Sequence, residues 1–331
     1  MYRKELDIAL SAVSRAAKLC RDVQQTLVDA ESVQKKDRSP VTIADFGSQA
    51  IISMALSAAF PEDPLVGEED AVLLRKNDVL RGKVHNLVSN AIGAVDEDAL
   101  IEAIDRGARD TNFSGRFWTV DPIDGTKGFL RGDQYAVALA LIEAGRVVLG
   151  VLGCPNFNPE KWGANGAIFY AVAGGGAFAA PIEPGTPVGR NDLNAKPIRV
   201  DGTNRPEAAR FCESVESAHS DHEVHRRICD RLGILASPCR IDSQAKYAAI
   251  ASGEASIYLR LPRSSAYREK IWDHAAGAAV VTEAGGRVTD FSGSPLGFTE
   301  GRTLKSHRGI LATNGRLHDG VLSAIQSTVA I

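Results

Sequence analysis

The stretch Trp118-Thr119-Val120-Asp121-Pro122-Ile123-Asp124-Gly125-Thr126 joins a lead-in of β-branched and aromatic residues to proline and glycine punctuation. That pattern predicts a short strand closed by a tight turn, with Asp121 and Asp124 on the turn. Proline fixes one φ and glycine permits a positive one, so such a turn can hold two carboxylates close enough to share metal ions. Hard oxygen ligands of this kind favour Mg²⁺. A bare D-P-x-D-G is also an ordinary solvated β-turn. What lifts this stretch above that reading is the company it keeps along the chain.

The chain has 331 residues, enough for two domains of ordinary size, expected as 1–156 and 157–331 with the polar stretch from Asn156 to Gly166 at their boundary. A hydrophobic content of 44% with 24% charged residues can bury a sizeable core. The net charge of -3 gives no general basic field, which argues against nucleic-acid polymers and anionic membranes as partners; a small anion would be met by local charge or bound metal. The five cysteines, Cys20, Cys154, Cys212, Cys229 and Cys239, are scattered and never spaced as C-x-x-C. With no signal-peptide core and no 18-residue apolar run, a cytoplasmic setting is expected.

Leu6, Leu10, Val13, Ala17, Cys20 and Leu27 recur at helical spacing and predict an amphipathic first helix. It runs into a charged loop, Lys35 to Ser39, ended by Pro40. A second helix is expected to reach Phe60, with Asp45 in its first turn, where a carboxylate complements the helix dipole. Leu65 to Asp70 reads as a short strand ending in acidic residues, and residues 71–110 as helices without chemistry. After the central turn, Gln134–Glu143 and Arg146–Gly153 form a hairpin about Ala144-Gly145. Ala167–Ala173 is a further strand, Gly174-Gly175-Gly176 a β-turn rather than a phosphate loop, and Pro181–Pro197 an irregular connection.

In the last third, His219, His222 and His225 invite a metal reading, but six residues is about 240° around a helix, which favours surface histidines. Ser243 and Lys246 stand at i,i+3 near a helix start, where their donors would lie side by side and suit a phosphate. Ala255–Leu261 alternates as a strand, and Asp273 precedes a helix from Ala275 to Ala284 that it would cap.

Taken together, the motifs resemble those of the lithium-sensitive, magnesium-dependent phosphatases related to inositol monophosphatase. Pro40-Val41-Thr42-Ile43-Ala44-Asp45, Gly67-Glu68-Glu69, Asp121 to Thr126 and Trp272 to Gly277 each match one arm of that family's site. Within it, Gly128 to Tyr135, Ser217-Ala218-His219-Ser220 and Tyr258-Leu259-Arg260-Leu261-Pro262 resemble the 3′(2′),5′-bisphosphate nucleotidases. The resemblance implies an α/β fold, α+β in its N-terminal part and α/β in its C-terminal part, layered as an αβαβα sandwich. It implies Glu68, Asp121, the Ile123 carbonyl, Asp124 and Asp273 as ligands of two or three Mg²⁺ ions, with Asp45 and Thr126 serving the attacking water. His219, Ser243, Lys246 and Arg260, bordered by Thr126 and Asp273, would contact the substrate. The implied reaction removes the 3′-phosphate of adenosine 3′,5′-bisphosphate or of its 5′-phosphosulfate relative, in a protein expected to be monomeric. Two alternatives stand beside it: an inositol polyphosphate 1-phosphatase, and a nucleotide-binding redox or stress sensor with vestigial catalysis, suggested by Cys154 at a strand end.

Overall fold

A computed structural model describes residues 1–26, 33–34, 40–41, 43–157, 166–182, 194–215, 222–261, 264 and 266–329. The amphipathic N-terminal pattern becomes helix α1 (Arg3–Thr26). Two short strands, β1 (Val33–Gln34) and β2 (Pro40–Val41), pair antiparallel before α2 (Ile43–Ala59). Strand β3 (Leu65–Gly67) is followed by α3 (Val72–Lys76), α4 (Asp78–Ile92) and α5 (Glu97–Asp105), in the region expected to be helical. The opening stretch is β4 (Arg116–Asp124), which leads directly into α6 (Thr126–Arg131). Then come β5 (Ala136–Glu143), β6 (Arg146–Cys154), β7 (Ala167–Val172), β8 (Gly176–Pro181) and β9 (Lys196–Ile198).

Strands β3 to β9 form one sheet in sequence order, parallel only between β3 and β4. The hairpin turn is as expected, with Ala144 at φ 49° and Gly145 at 75°, the two positive values a two-residue connection requires. The stretch read as irregular, Pro181 to Pro197, lies partly outside the described residues, yet β8 ends at Pro181 and β9 begins at Lys196. Because β6 and β7 are paired neighbours, the division expected at residue 156 falls inside this sheet.

The remaining elements are β10 (Phe211–Glu213), α7 (His222–Leu232), β11 (Cys239–Arg240), α8 (Ala245–Ala251), β12 (Ile257–Arg260), α9 (Ala275–Glu283), β13 (Arg287–Thr289), β14 (Ile310–Thr313) and α10 (His318–Gln326). The second sheet has the order β11-β10-β12-β14-β13.

Alternation along the strands builds the layers, since successive side chains face opposite sides of a sheet. Trp118, Val120, Leu139 and Val151 face α1 and α2, whereas Phe117, Ala138, Ala140 and Phe169 face α8 and α9. The same two helices meet the second sheet through Tyr258 and Ala312, and its far side packs Phe211, Leu259 and Leu311 under α7 and α10. The result is the expected αβαβα order. Small residues let the central helices approach closely: a Cβ on Gly150 of β6 would lie 2.7 Å from the Ala276 carbonyl of α9. This closeness carries the N-terminal end of α9, and with it Asp273, to the end of β4. Gly150→Ala should therefore destabilise the protein by about 1–3 kcal/mol, because the clash is with backbone, measured as a lower denaturation midpoint in urea.

Candidate active site

The carboxylates of the central stretch do not sit on a free turn. Strand β4 continues through Asp124, with its pairing to β5 interrupted between Asp121 and Asp124. Pro122 has no N–H for a ladder bond, which accounts for the break. The strand closes at Gly125, φ 90°, a left-handed step into α6. The Ser48 hydroxyl of α2 donates to the Pro122 carbonyl at 2.9 Å, and Thr126 Oγ1 donates to the Ile123 carbonyl at 3.3 Å.

Asp121 is 2% exposed, and its Oδ1 has no hydrogen-bond partner among the described residues. Burial pushes its carboxyl well above the usual range, and the negative charges of Glu68, Asp124, Asp273 and Asp45 push it further. Four acidic side chains from four separate segments thus meet around one buried carboxylate. Asp45 lies in the first turn of α2 as expected, and is buried. Glu68 follows β3, and its neighbour Glu69 is clamped by Gln49 of α2: Glu69 N–H donates to Gln49 Oε1 at 3.0 Å, and Gln49 Nε2 donates to the Glu69 carbonyl at 2.7 Å. Asp124 Oδ2 accepts from the Gln244 backbone N–H at 2.6 Å.

Asp273 is not the cap of α9. His274 occupies that position without a side-chain capping bond, which leaves the Asp273 carboxylate directed to the cluster. Burial raises its pKa, Arg260 opposes that, and Asp124, Glu269 and Glu68 add to it. An anionic cluster with an orphaned buried oxygen fits a divalent cation, which would supply the missing partner. Glu269, Asp273 and His274 also bring three potential ligand atoms within 4.8 Å of one another. There most positions are taken: Arg260 Nε lies 2.8 Å from Glu269 Oε2, Arg260 Nη2 lies 3.5 Å from Asp273 Oδ2, and Tyr247 Oη lies 2.7 Å from His274 Nδ1, while Glu269 Oε1 has no hydrogen-bond partner among the described residues.

Ser243 and Lys246 do not lie side by side on a helix face. Ser243 has a left-handed φ of 66° before α8, and its hydroxyl accepts from Ala245 N–H at 3.1 Å. Lys246 is 2% exposed; its ammonium donates to the Ile241 carbonyl at 3.1 Å and lies 5.3 Å from the centre of the Tyr258 ring. Burial lowers its pKa, with Asp124 opposing. Arg260 ends β12 on the same side, with Glu269 behind it; burial pushes Glu269 up, but Arg260 and His274 hold its pKa down at about 2. His219 lies outside the described residues. His225 is not a surface histidine: it is buried, with Nδ1 3.0 Å from Glu213 Oε2. Cys154 is fully buried at the end of β6, and burial pushes its thiol up, the state of an inert cysteine.

Sequence reading missed Gln49, Gln244, Glu269 and His274. Gln244 Nε2 donates to the Trp272 carbonyl at 2.9 Å, and its Oε1 accepts from Gly277 N–H at 3.0 Å, so one residue ties Asp124, through its backbone N–H, to the start of α9, through its side chain. A polar residue on an otherwise apolar helix was the available signal for Gln49, which is fully buried. Glu269 lies just before the motif Trp272 to Gly277, and His274 lies within it without having been assigned a role.

The description "Inositol monophosphatase family" matches residues 1–330, and the chain belongs to that family. It is similar to curated proteins named 3′(2′),5′-bisphosphate nucleotidase: 43% identical to nucleotidase 1 of Candida albicans, over 98% of this chain and 95% of the relative. It is also 44% identical to the nucleotidase of Oryza sativa, over 99% and 95%. Among solved structures, the fold matches the Thermotoga maritima IMPase at TM-score 0.66, 22% identity, and 98% and 97% coverage. It matches the suppressor protein suhB of Bartonella henselae at TM-score 0.67, 21% identity, and 98% and 99% coverage.

The acidic cluster carries a stability cost that shows without metal. A carboxyl whose folded pKa is raised contributes stability below its unfolded pKa and loses it as pH rises through the folded value. In EDTA at pH 8, Asp121→Asn should therefore be more stable than the wild type in urea denaturation, and its advantage should shrink as the pH falls and Asp121 itself takes up a proton. An Asp121→Asn protein less stable than the wild type at pH 8 would contradict the charge crowding.

Proposed function

We propose that the protein is a metal-dependent 3′(2′),5′-bisphosphate nucleotidase. It hydrolyses the 3′-phosphate of adenosine 3′,5′-bisphosphate, or of 3′-phosphoadenosine 5′-phosphosulfate, to the 5′-nucleotide and inorganic phosphate. The observation that carries this reading is the cluster of Asp121 with four further acids beside the buried Lys246 and the half-buried Arg260. The near-full-length similarity to nucleotidases supports the substrate.

Glu68, Asp121, the Ile123 carbonyl, Asp124 and Asp273 would hold two or three Mg²⁺ ions. Bound there, the metal supplies charge neutralisation of the phosphate, a water of lowered pKa and stabilisation of the leaving oxygen. Asp45, buried in the first turn of α2, accepts the proton of the attacking water, and the Thr126 hydroxyl orients that water. Lys246 and Arg260 hold the part of the nucleotide that does not react. An ammonium has three donors and Ile241 takes one of them. Among the described residues no helix is long and apolar enough to cross a membrane, and all five cysteines are free, as a reducing compartment would leave them.

Phosphate release assayed across nucleotide and inositol substrates tests the reading. Activity should vanish in EDTA, return with Mg²⁺ and fall with Li⁺, and turnover that survives EDTA would refute it. A preference for an inositol bisphosphate would assign the inositol polyphosphate 1-phosphatase reading instead. Lys246→Ala should raise KM for adenosine 3′,5′-bisphosphate about 10- to 150-fold with kcat little changed, the worth of a charge-assisted hydrogen bond, and should affect an inositol phosphate less. Thr126→Ala should do the reverse, lowering kcat on every substrate with modest change in KM.

A further inference from the structure

Arg302 lies outside every motif that the sequence singles out, yet it touches both halves of the site. Its backbone belongs to a segment that runs antiparallel beside the approach to Asp273. Ile271 N–H donates to the Arg302 carbonyl at 3.2 Å, Lys270 bridges Thr303, and Leu304 N–H donates to the Glu269 carbonyl at 2.9 Å. The guanidinium carbon lies 4.9 Å from the centre of the Trp272 ring, directly before Asp273. The side chain then crosses to the other half. Nη1 donates to the Gly107 carbonyl at 2.9 Å, and Nη2 donates to the carbonyl of Gly67, the residue before Glu68.

The receiving peptide has little freedom to follow. A Cβ on Gly67 would lie 2.5 Å from Gln49 Oε1, and one on Gly107 would lie 3.1 Å from Gly67 Cα. Gln49 is fully buried and bonded to Glu69 and Ile104. The Gly67 carbonyl is therefore a fixed post, and the planar fork of an arginine, which reaches two carbonyls while stacking on an aromatic ring, is suited to hold it. Glu68 and Asp273 face the same buried Asp121, and their mutual repulsion acts to part them.

We propose that Arg302 is a positioning residue that sets the separation of the Glu68 and Asp273 arms and thereby the affinity of the site for divalent metal. This rests on the metal-centre reading above. It makes no contact with substrate and takes no part in the chemical step.

The test measures binding of Mn²⁺ to substrate-free protein by electron paramagnetic resonance, alongside the rise in Tm on adding Mg²⁺. Arg302→Met, which keeps the stem and removes the donors, should weaken metal binding about 10- to 100-fold, the usual consequence of losing a group that orients ligands. At saturating Mg²⁺ its KM for adenosine 3′,5′-bisphosphate should be that of the wild type. Arg302→Lys, which keeps the cation over Trp272, should bind metal with intermediate affinity and serves as the readout should Arg302→Met fail to fold. Arg106 donates to the Ser53 carbonyl at 3.1 Å and the Phe60 carbonyl at 3.2 Å, all within the first half of the chain. Arg106→Met should lose stability with metal affinity unchanged. Wild-type affinity in both Arg302 variants, or an equal loss in Arg106→Met, would overturn the proposal while leaving the metal centre standing. Wild-type protein that binds no Mn²⁺ would overturn the metal centre itself.

Discussion

The repulsion among the carboxylates around Asp121 is the constraint that the rest of the structure must contain. Two like charges 4 Å apart repel by about 4 kcal/mol even at an effective dielectric near 20, and here Glu68, Asp124, Asp273 and Asp45 all act on one buried group. The backbone around Asp121, Glu68 and Asp124 is consequently held by groups that do not titrate near neutrality. Ser48 fixes the Pro122 peptide, Gln49 clamps the peptide after Glu68, and Gln244 ties Asp124 to the start of α9. Neutral amides suit this work because they bind backbone without adding to the charge they restrain.

The cationic flank is built on a different plan. Arg260 is shared between Glu269 and Asp273, and His274 and Tyr247 extend that chain into the layer between the sheets. Glu269 balances the arginine without being drawn into the acidic cluster, and its low pKa keeps it charged across the neutral range. Arg131 reaches Asp242 from α6, so the element following the central strand also steadies the approach to Ser243. Acidic and basic groups thus stand next to one another on separate supports.

Much of this was legible in the sequence, because period and punctuation are local. The Ala144-Gly145 hairpin, the helix after Asp273 and the existence of the central strand, though not its continuation through Asp124, all follow from neighbours a few residues apart. The reading failed where a distant partner decides a residue's state. Lys246 reads as lying side by side with Ser243 at a helix start and is instead buried, where Tyr258 and the Ile241 carbonyl receive it. His225 looked like a surface residue and is buried because Glu213 receives it. Asp273 looked like a helix cap, and the acids contributed by β3 and β4 claim it for another purpose. No spacing rule within a helix contains such partners.

The strand order of the second sheet bears on the birth of the protein. Strand β14 lies between β12 and β13, so Ile310–Thr313 must arrive before that sheet can close. Arg302 and the segment beside Glu269 likewise follow every acid of the cluster in the chain. Long-range pairings of this kind form late. A ribosome-bound chain therefore exposes all its clustered acids before it has the strand that lies between β12 and β13, and that sheet closes only once Ile310–Thr313 has emerged.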